Sequence, residues 1–152
     1  MRKKITVIGA GNVGATVAQS CLMKNLGDVV MLDVAEGLAK GKALDMSQAA
    51  ALQHHDCRIK GSADYADTAG SDLVVVTAGI ARKPGMSRDD LVKTNLKIVS
   101  EVVAAAVKQS PNAVFIIVSN PLDIMCRVAQ KVSGLPTHRV LGLSGMLDAS
   151  RL

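Results

Sequence analysis

An α/β fold with a doubly wound, parallel six-stranded sheet in the order 3-2-1-4-5-6 is predicted by three observations. Short β-branched runs alternate with longer helical stretches along the chain. The runs are apolar with little alternation, as strands covered on both faces require. Turn residues mark several of the exchanges between the two patterns. Such alternation implies parallel strands joined by right-handed crossovers, and six strands in this order form two βαβαβ halves.

The elements follow in sequence. A first strand over Lys4–Ile8 leads to a helix over Asn12–Lys24, and a second strand over Val29–Asp33 to a helix over Glu36–Ala51. The third strand is read at Arg58–Ser62, followed by a short turn or helix at Tyr65–Ala69 and a fourth strand at Leu73–Ala78. A long helix over Asp90–Gln109 ends at Ser110-Pro111-Asn112, which turns the chain into a fifth strand, Val114–Ser119. Pro121 suits the first turn of the next helix, read to Val132, because its missing N–H would be unpaired there anyway. Gly134 and Pro136 close that helix before a sixth strand, Arg139–Leu143. Residues 1–143 are expected to form one domain, and residues 144–152 to begin a second that is truncated.

Composition narrows the class. The chain has 152 residues, enough for one sizeable core, and its 49% hydrophobic content argues against disorder. That content is aliphatic, with one Tyr, one Phe and no Trp, so the aromatic platforms on which bases stack are missing. The net charge of +5 is scattered, with no basic run longer than Arg2-Lys3-Lys4, which argues against a nucleic-acid partner. Cys21, Cys57 and Cys126 are odd in number and widely spaced, which excludes a disulfide framework and suggests a reducing, cytoplasmic setting. No apolar run approaches the ~18 residues of a membrane span, so no membrane partner is expected. No metal site is expected either, since consecutive residues such as His54-His55-Asp56-Cys57 point apart.

Gly9-Ala10-Gly11-Asn12-Val13-Gly14 is a G-x-G-x-x-G string. Alone it marks only a tight turn, but here it joins an apolar strand to an amphipathic helix. In that context Gly9 permits the turn, Gly11 the close approach of a pyrophosphate, and Gly14 tight helix–strand packing. The helix N-terminus offers unpaired N–H groups and a positive dipole end to phosphate. Asp33 lies nineteen positions after Gly14, at the end of the second strand. A carboxylate there accepts both ribose hydroxyls of an adenosine and repels a 2′-phosphate, so the cofactor is NAD rather than NADP; the alternative is a turn-forming Asp. Together these features define a Rossmann-type reading. A phosphate loop of the G-x-x-x-x-G-K-[ST] type is excluded, because Gly37 to Ala43 has the wrong spacing and ends in Ala. The Tyr-x-x-x-Lys pair of short-chain reductases is also missing, since Ala69 stands four positions after Tyr65.

After the fourth strand comes a basic loop, Ala78 to Leu91, with Arg82 and Arg88 six apart. Two guanidinium groups at the carboxyl end of a strand can clamp a small anion, or can be incidental charge on a solvated loop. This loop, Val118-Ser119-Asn120-Pro121-Leu122-Asp123, and Leu147-Asp148-Ala149-Ser150-Arg151 give the chain its resemblance to the lactate/malate dehydrogenase family. The similarity extends from Gly9 to Arg151, and is to the lactate dehydrogenase-like malate dehydrogenases.

The resemblance implies an NAD-dependent oxidoreductase, a homo-oligomer acting on malate and oxaloacetate in the tricarboxylic acid cycle. It gives Arg82 the distal substrate carboxylate, Arg88 the reacting carbonyl and Arg151 the α-carboxylate. Lactate dehydrogenases usually carry Gln in place of Arg82, which favours malate over lactate. Asn95 lies on an apolar helical stripe and needs a polar partner, either NAD, as the resemblance implies, or core backbone. Asn120 is either a substrate ligand or a helix cap, and Val118 to Asn120 would line the nicotinamide side. Asp148 and Arg151 share a helical face, either as a surface ion pair or, by resemblance, with Asp148 orienting the catalytic imidazole. The family's histidine is expected downstream, in a domain outside this chain. His54, His55 and His138 lack its motif and read as surface or loop residues. The chain alone is therefore expected to be inactive, with a noncatalytic dinucleotide-binding module as the alternative function.

Overall fold

In a computed structural model of the chain, residues 2–81 and 84–151 are described, Leu147 and Asp148 by their backbone alone. Six strands form one parallel sheet: β1 (Lys4–Ile8), β2 (Asp28–Leu32), β3 (Ile59–Ser62), β4 (Leu73–Val76), β5 (Val114–Ile117) and β6 (Val140–Gly142). Their spatial order is β3-β2-β1-β4-β5-β6, as the sequence predicts. The connecting helices are α1 (Asn12–Met23), α2 (Glu36–Gln48), α3 (Arg88–Gln109) and α4 (Leu122–Ser133). A 3₁₀ turn at Tyr65–Thr68 precedes β4, another at Thr137–Arg139 precedes β6, and a short α5 (Gly145–Ala149) follows it.

Alternate residues of the central strands feed two separate cores. Ile5, Val7, Val29, Met31 and Val75 pack with Ala18, Leu22 and Ala39 from α1 and α2. Ile8, Val74, Val76, Phe115 and Ile117 pack on the other face with Val99, Val103, Met125 and Ala129 from α3 and α4. The period of two along each strand is thus satisfied by apolar side chains on both faces, which explains why the runs showed little alternation. Thr6 is a buried exception in the middle of β1. Its hydroxyl donates to that of Ser71, while the Ser71 and Ser110 hydroxyls both donate to the Thr68 carbonyl. This network ties β1 to the end of α3.

Element ends differ from the sequence reading where local bonds intervene. The helix α3 begins at Arg88, two residues earlier than expected, because Ser87 and Asp90 form a reciprocal capping box. Arg88 therefore belongs to a helix and not to the preceding loop. Pro121 is the N-cap of α4, in extended backbone, one residue before its first turn. The strands stop short of Asp33, Thr77, Ala78, Val118, Ser119 and Leu143, which leave the ladder as the chain turns into its crossovers. The helix α2 ends at Gln48, and His55, in the connection that follows, is 8% exposed and has no hydrogen-bond partner on either ring nitrogen among the described residues. Of the expected surface or loop position, His55 thus takes the loop, and its burial removes it from the surface.

The basic residues at the amino ends of β1 and β3 are answered locally. Arg2 binds Asp56, Lys3 binds Asp72 and Lys60 binds Asp67. Lys60 and the Ser62 hydroxyl hold the Asp67 carboxyl below the usual carboxylate range, as Lys3 and the Lys4 N–H do for Asp72. Much of the positive charge in this region is thereby paired. Among the described residues no helix is long and apolar enough to cross a membrane.

Phe115 is fully buried between β4, α3 and α4. Replacing it with Ala is expected to cost about 3–5 kcal/mol of folding stability, by loss of transfer energy and the cavity left behind. Urea unfolding measures this, and a cost below about 1 kcal/mol would place Phe115 outside the core.

Candidate dinucleotide-binding site

Strand register brings the predicted residues together. Ile8 is paired with Leu32 on one side and with Val76 on the other. The residues that follow, Gly9, Asp33 and Thr77, therefore leave the sheet side by side at its carboxyl edge. Hydrogen bonds extend the ladder just past the strands, from Gly9 N–H to Leu32 C=O at 2.8 Å and from Thr77 N–H to Ile8 C=O at 2.9 Å. The crossovers from β1 and β4 depart in opposite directions at this point, opening the crevice in which sheets of this kind bind ligands.

Each glycine of the loop has a distinct steric reason. Gly9 has φ +105°, and a β-carbon on it would lie 2.7 Å from Thr77 Oγ1. A β-carbon on Gly14 would lie 1.8 Å from the Gly9 carbonyl oxygen, which no side chain can accommodate without moving α1 off β1. At Gly11 a β-carbon would meet nothing within 4 Å. Gly11 thus faces open space, where an approaching phosphate would be placed.

The first turn of α1 lacks a side-chain cap and carries no acidic residue. The first helical bond runs from Ala15 N–H to Gly11 C=O, so the N–H groups of Asn12, Val13 and Gly14 have no acceptor within the helix. By contrast, α3 closes its own terminus with Ser87 and Asp90 and adds Asp89. An uncapped helix end beside an open glycine fits a pyrophosphate.

Asp33 is partly buried, and its carboxylate accepts from Ala10 N–H at 2.6 Å and from Ala35 N–H at 2.9 Å. The second bond belongs to the turn-forming reading of this residue, and the first docks it on the glycine loop. Both oxygens keep a lone pair for ribose hydroxyls, so the two readings are compatible. Val34, immediately beyond, is 99% exposed.

The residues assigned to nicotinamide and substrate divide into two groups. Asn95 is buried, and its amide is committed to backbone. Its Oδ1 accepts from Ile80 N–H at 2.8 Å, and its Nδ2 donates to Ile80 C=O at 3.2 Å and to Asn120 C=O at 2.7 Å. Both amide donors are used, which is the backbone alternative for Asn95. It ties the chain leaving β4 to the chain leaving β5. Ser119 reinforces that tie by donating to Ala78 C=O at 2.6 Å. Val118 packs against the core shared with α1 and α2. Asn120 is exposed at the crevice, and its side chain does not cap α4.

Arg88 is exposed in the first turn of α3, and Arg151 lies exposed in the turn after α5. Arg82 lies outside the described residues, as does the side chain of Asp148. The histidines are placed far from the crevice by topology. His54 and His55 lie in the connection from α2 to β3, and His138 in the 3₁₀ turn before β6, all at the amino ends of strands.

Two residues were missed in the sequence. Thr77 directs its hydroxyl at the carbonyls of Ile8 and Gly9, at 3.0 and 3.2 Å, and packs against both Gly9 and Gly14. Lys42 of α2 donates to Ala10 C=O at 2.7 Å. A polar residue closing an apolar strand was the only local sign of Thr77. Lys42 gave none.

Fold and site together define a Rossmann-type dinucleotide-binding domain. A family profile described as lactate/malate dehydrogenase, NAD binding domain, matches residues 3–142, and the chain belongs to that family as its NAD-binding domain. It is 61% identical over 150 residues to a malate dehydrogenase of Heliobacterium modesticaldum, covering 99% of this chain and 48% of the relative. The structure of Cryptosporidium parvum malate dehydrogenase superposes with a TM-score of 0.94 at 46% identity, over 99% of this chain and 48% of that one. A lactate dehydrogenase from the same organism, complexed with lactic acid and nicotinamide adenine dinucleotide, gives 0.94 at 43% identity, over 99% and 48% of the two chains. The chain thus spans about half the length of the curated relatives it matches.

Gly14→Ala tests the steric reading of the loop. Its methyl group would collide with the Gly9 carbonyl, so stability is expected to fall by about 1–3 kcal/mol. NADH binding, followed by fluorescence, should be lost with it; unchanged binding and unfolding would refute the close approach of α1 to β1.

Proposed function

We propose that this chain is the cofactor-holding half of an NAD-dependent malate dehydrogenase, which moves hydride between malate or oxaloacetate and NAD. The observation that carries the reading is the adjacency of Asp33 to the uncapped terminus of α1 across the open Gly11. The N–H groups of the first turn of α1 hold the pyrophosphate, and the Asp33 carboxylate accepts from the adenosine ribose. NAD supplies the hydride-accepting ring when bound.

Arg82, Arg88 and Arg151 hold the substrate, with Arg82 on the distal carboxylate, Arg88 on the reacting carbonyl and Arg151 on the α-carboxylate. Asn120, at the crevice, contacts the substrate as well. Asn95, through its bonds to Ile80 and Asn120, holds the β4 and β5 loops in register for the nicotinamide. The assignment of malate is supported by Arg82 itself and by the names of the relatives. Guanidinium groups remain protonated at neutral pH, so the proton acceptor must be another group. Among the described residues no histidine lies at the crevice, and the family's imidazole, oriented by Asp148, would fill that role from outside this chain. Residues 1–143 form the cofactor domain and residues 144–152 begin the substrate domain.

Two features support the expected setting. Cys21, Cys57 and Cys126 are odd in number and widely spaced in the sequence, which suits a reducing cytoplasm. Leu141, Leu143 and Met146 are exposed along the β6 edge, an apolar surface that favours self-association.

Calorimetric titration of the 152-residue chain should show tighter binding of NAD⁺ than of NADP⁺, because Asp33 repels a 2′-phosphate. Asp33→Ala should weaken NAD⁺ binding and narrow the preference. Equal or tighter NADP⁺ binding by the unaltered chain would overturn the Asp33 assignment.

The substrate reading has its own test, in a chain extended to the length of the relatives. There Arg82→Gln should move kcat/KM from oxaloacetate towards pyruvate, since the distal carboxylate loses its counter-charge. An unchanged ratio between the two keto acids would refute the role given to Arg82.

A further inference from the structure

Lys42 stands on α2, a helix that the dinucleotide-site reading otherwise leaves without a role. The helix is brought close by Gly61 of β3, where a β-carbon would lie 2.2 Å from the Ala39 carbonyl oxygen. From that position the half-buried Lys42 reaches across to the glycine loop and donates to Ala10 C=O at 2.7 Å. The neighbouring cation Lys40 pairs with Glu36 on the solvent side. Asp33 holds the other flank of the same residue, through Ala10 N–H at 2.6 Å. Ala10 is therefore gripped on both sides by full charges of opposite sign, and hydrogen bonds to charged groups are about twice as strong as neutral ones.

The two grips act on different peptide units. Asp33 holds the unit between Gly9 and Ala10, whereas Lys42 holds the unit between Ala10 and Gly11. In a trans peptide the carbonyl and the N–H point in opposite directions. With the carbonyl drawn towards Lys42, the Gly11 N–H points away from it and has no acceptor among the described residues. Gly11 is also the residue with open space above it. Without a side chain, this glycine would otherwise be free to rotate its peptide.

We propose that Lys42 is a positioning residue of the dinucleotide site, which sets the Ala10–Gly11 peptide so that the Gly11 N–H is presented to the pyrophosphate. The proposal rests on the dinucleotide-binding reading above. It assigns Lys42 to the diphosphate and leaves recognition of the ribose to Asp33.

The test compares ligands with and without the diphosphate on the 152-residue chain. Lys42→Met should weaken NADH and ADP-ribose by about tenfold, the scale of one charge-assisted hydrogen bond. Adenosine, titrated by NMR, should change by less than about twofold. Lys42→Arg, which keeps both charge and donor, should restore NADH binding. If Lys42→Met does not fold, Lys42→Gln carries the same comparison. Equal losses for adenosine and NADH, or no loss for NADH, would overturn the proposal. Failure of the unaltered chain to bind NADH would instead overturn the dinucleotide reading, and the proposal with it.

Discussion

The Gly9 carbonyl oxygen occupies the space that a β-carbon of residue 14 would need. That close approach of α1 to β1 sets the position of the helix terminus relative to the sheet edge. Because β1 lies at the centre of the sheet, between β2 and β4, the contact also fixes the terminus relative to Asp33 and Thr77. Thr77 adds to it from the side by directing its hydroxyl at the two carbonyls that close the turn. A single steric constraint therefore aligns the phosphate end of the site with its ribose end.

The contrast between α1 and α3 shows how similar elements serve different purposes. Both begin at the carboxyl edge of the sheet and both carry a helix dipole. The terminus of α3 is closed by Ser87 and Asp90, which lowers its need for an external anion. The terminus of α1 is left with its donors unpaired, at a cost in the ligand-free protein that a bound phosphate would offset. The carboxylate nearest this terminus, Asp33, is docked on the Ala10 and Ala35 N–H groups, where it does not cap the helix.

A second layer of backbone ties holds the nicotinamide side. Asn95 joins the loops after β4 and β5, and Ser119 and the backbone of Ala78 repeat the link one residue deeper. Loops at a sheet edge are ordinarily the most mobile part of such a fold. Here buried side-chain amides and hydroxyls replace the ladder where the strands have stopped.

The sequence by itself determined the sheet order, the glycine loop and the acid at the end of β2. Those features depend on short-range patterns: apolar runs of strand length, spaced glycines, and a carboxylate at a strand end. It also contained the Ser87 and Asp90 capping box, although the pattern lies inside a loop rich in charge and reads as part of it. Tertiary structure alone decided which polar groups remain available. Asn95 reads equally well as a cofactor ligand or a core amide, and only the arrival of Ile80 and Asn120 beside it commits both donors to backbone. His55 reads as a surface or loop residue, and only the folded chain buries it. Lys42 sits thirty-two residues from Ala10, and its contact depends on α2 lying flat on Gly61. Such contacts between distant segments follow from packing, which leaves no period or spacing in the chain from which they can be read.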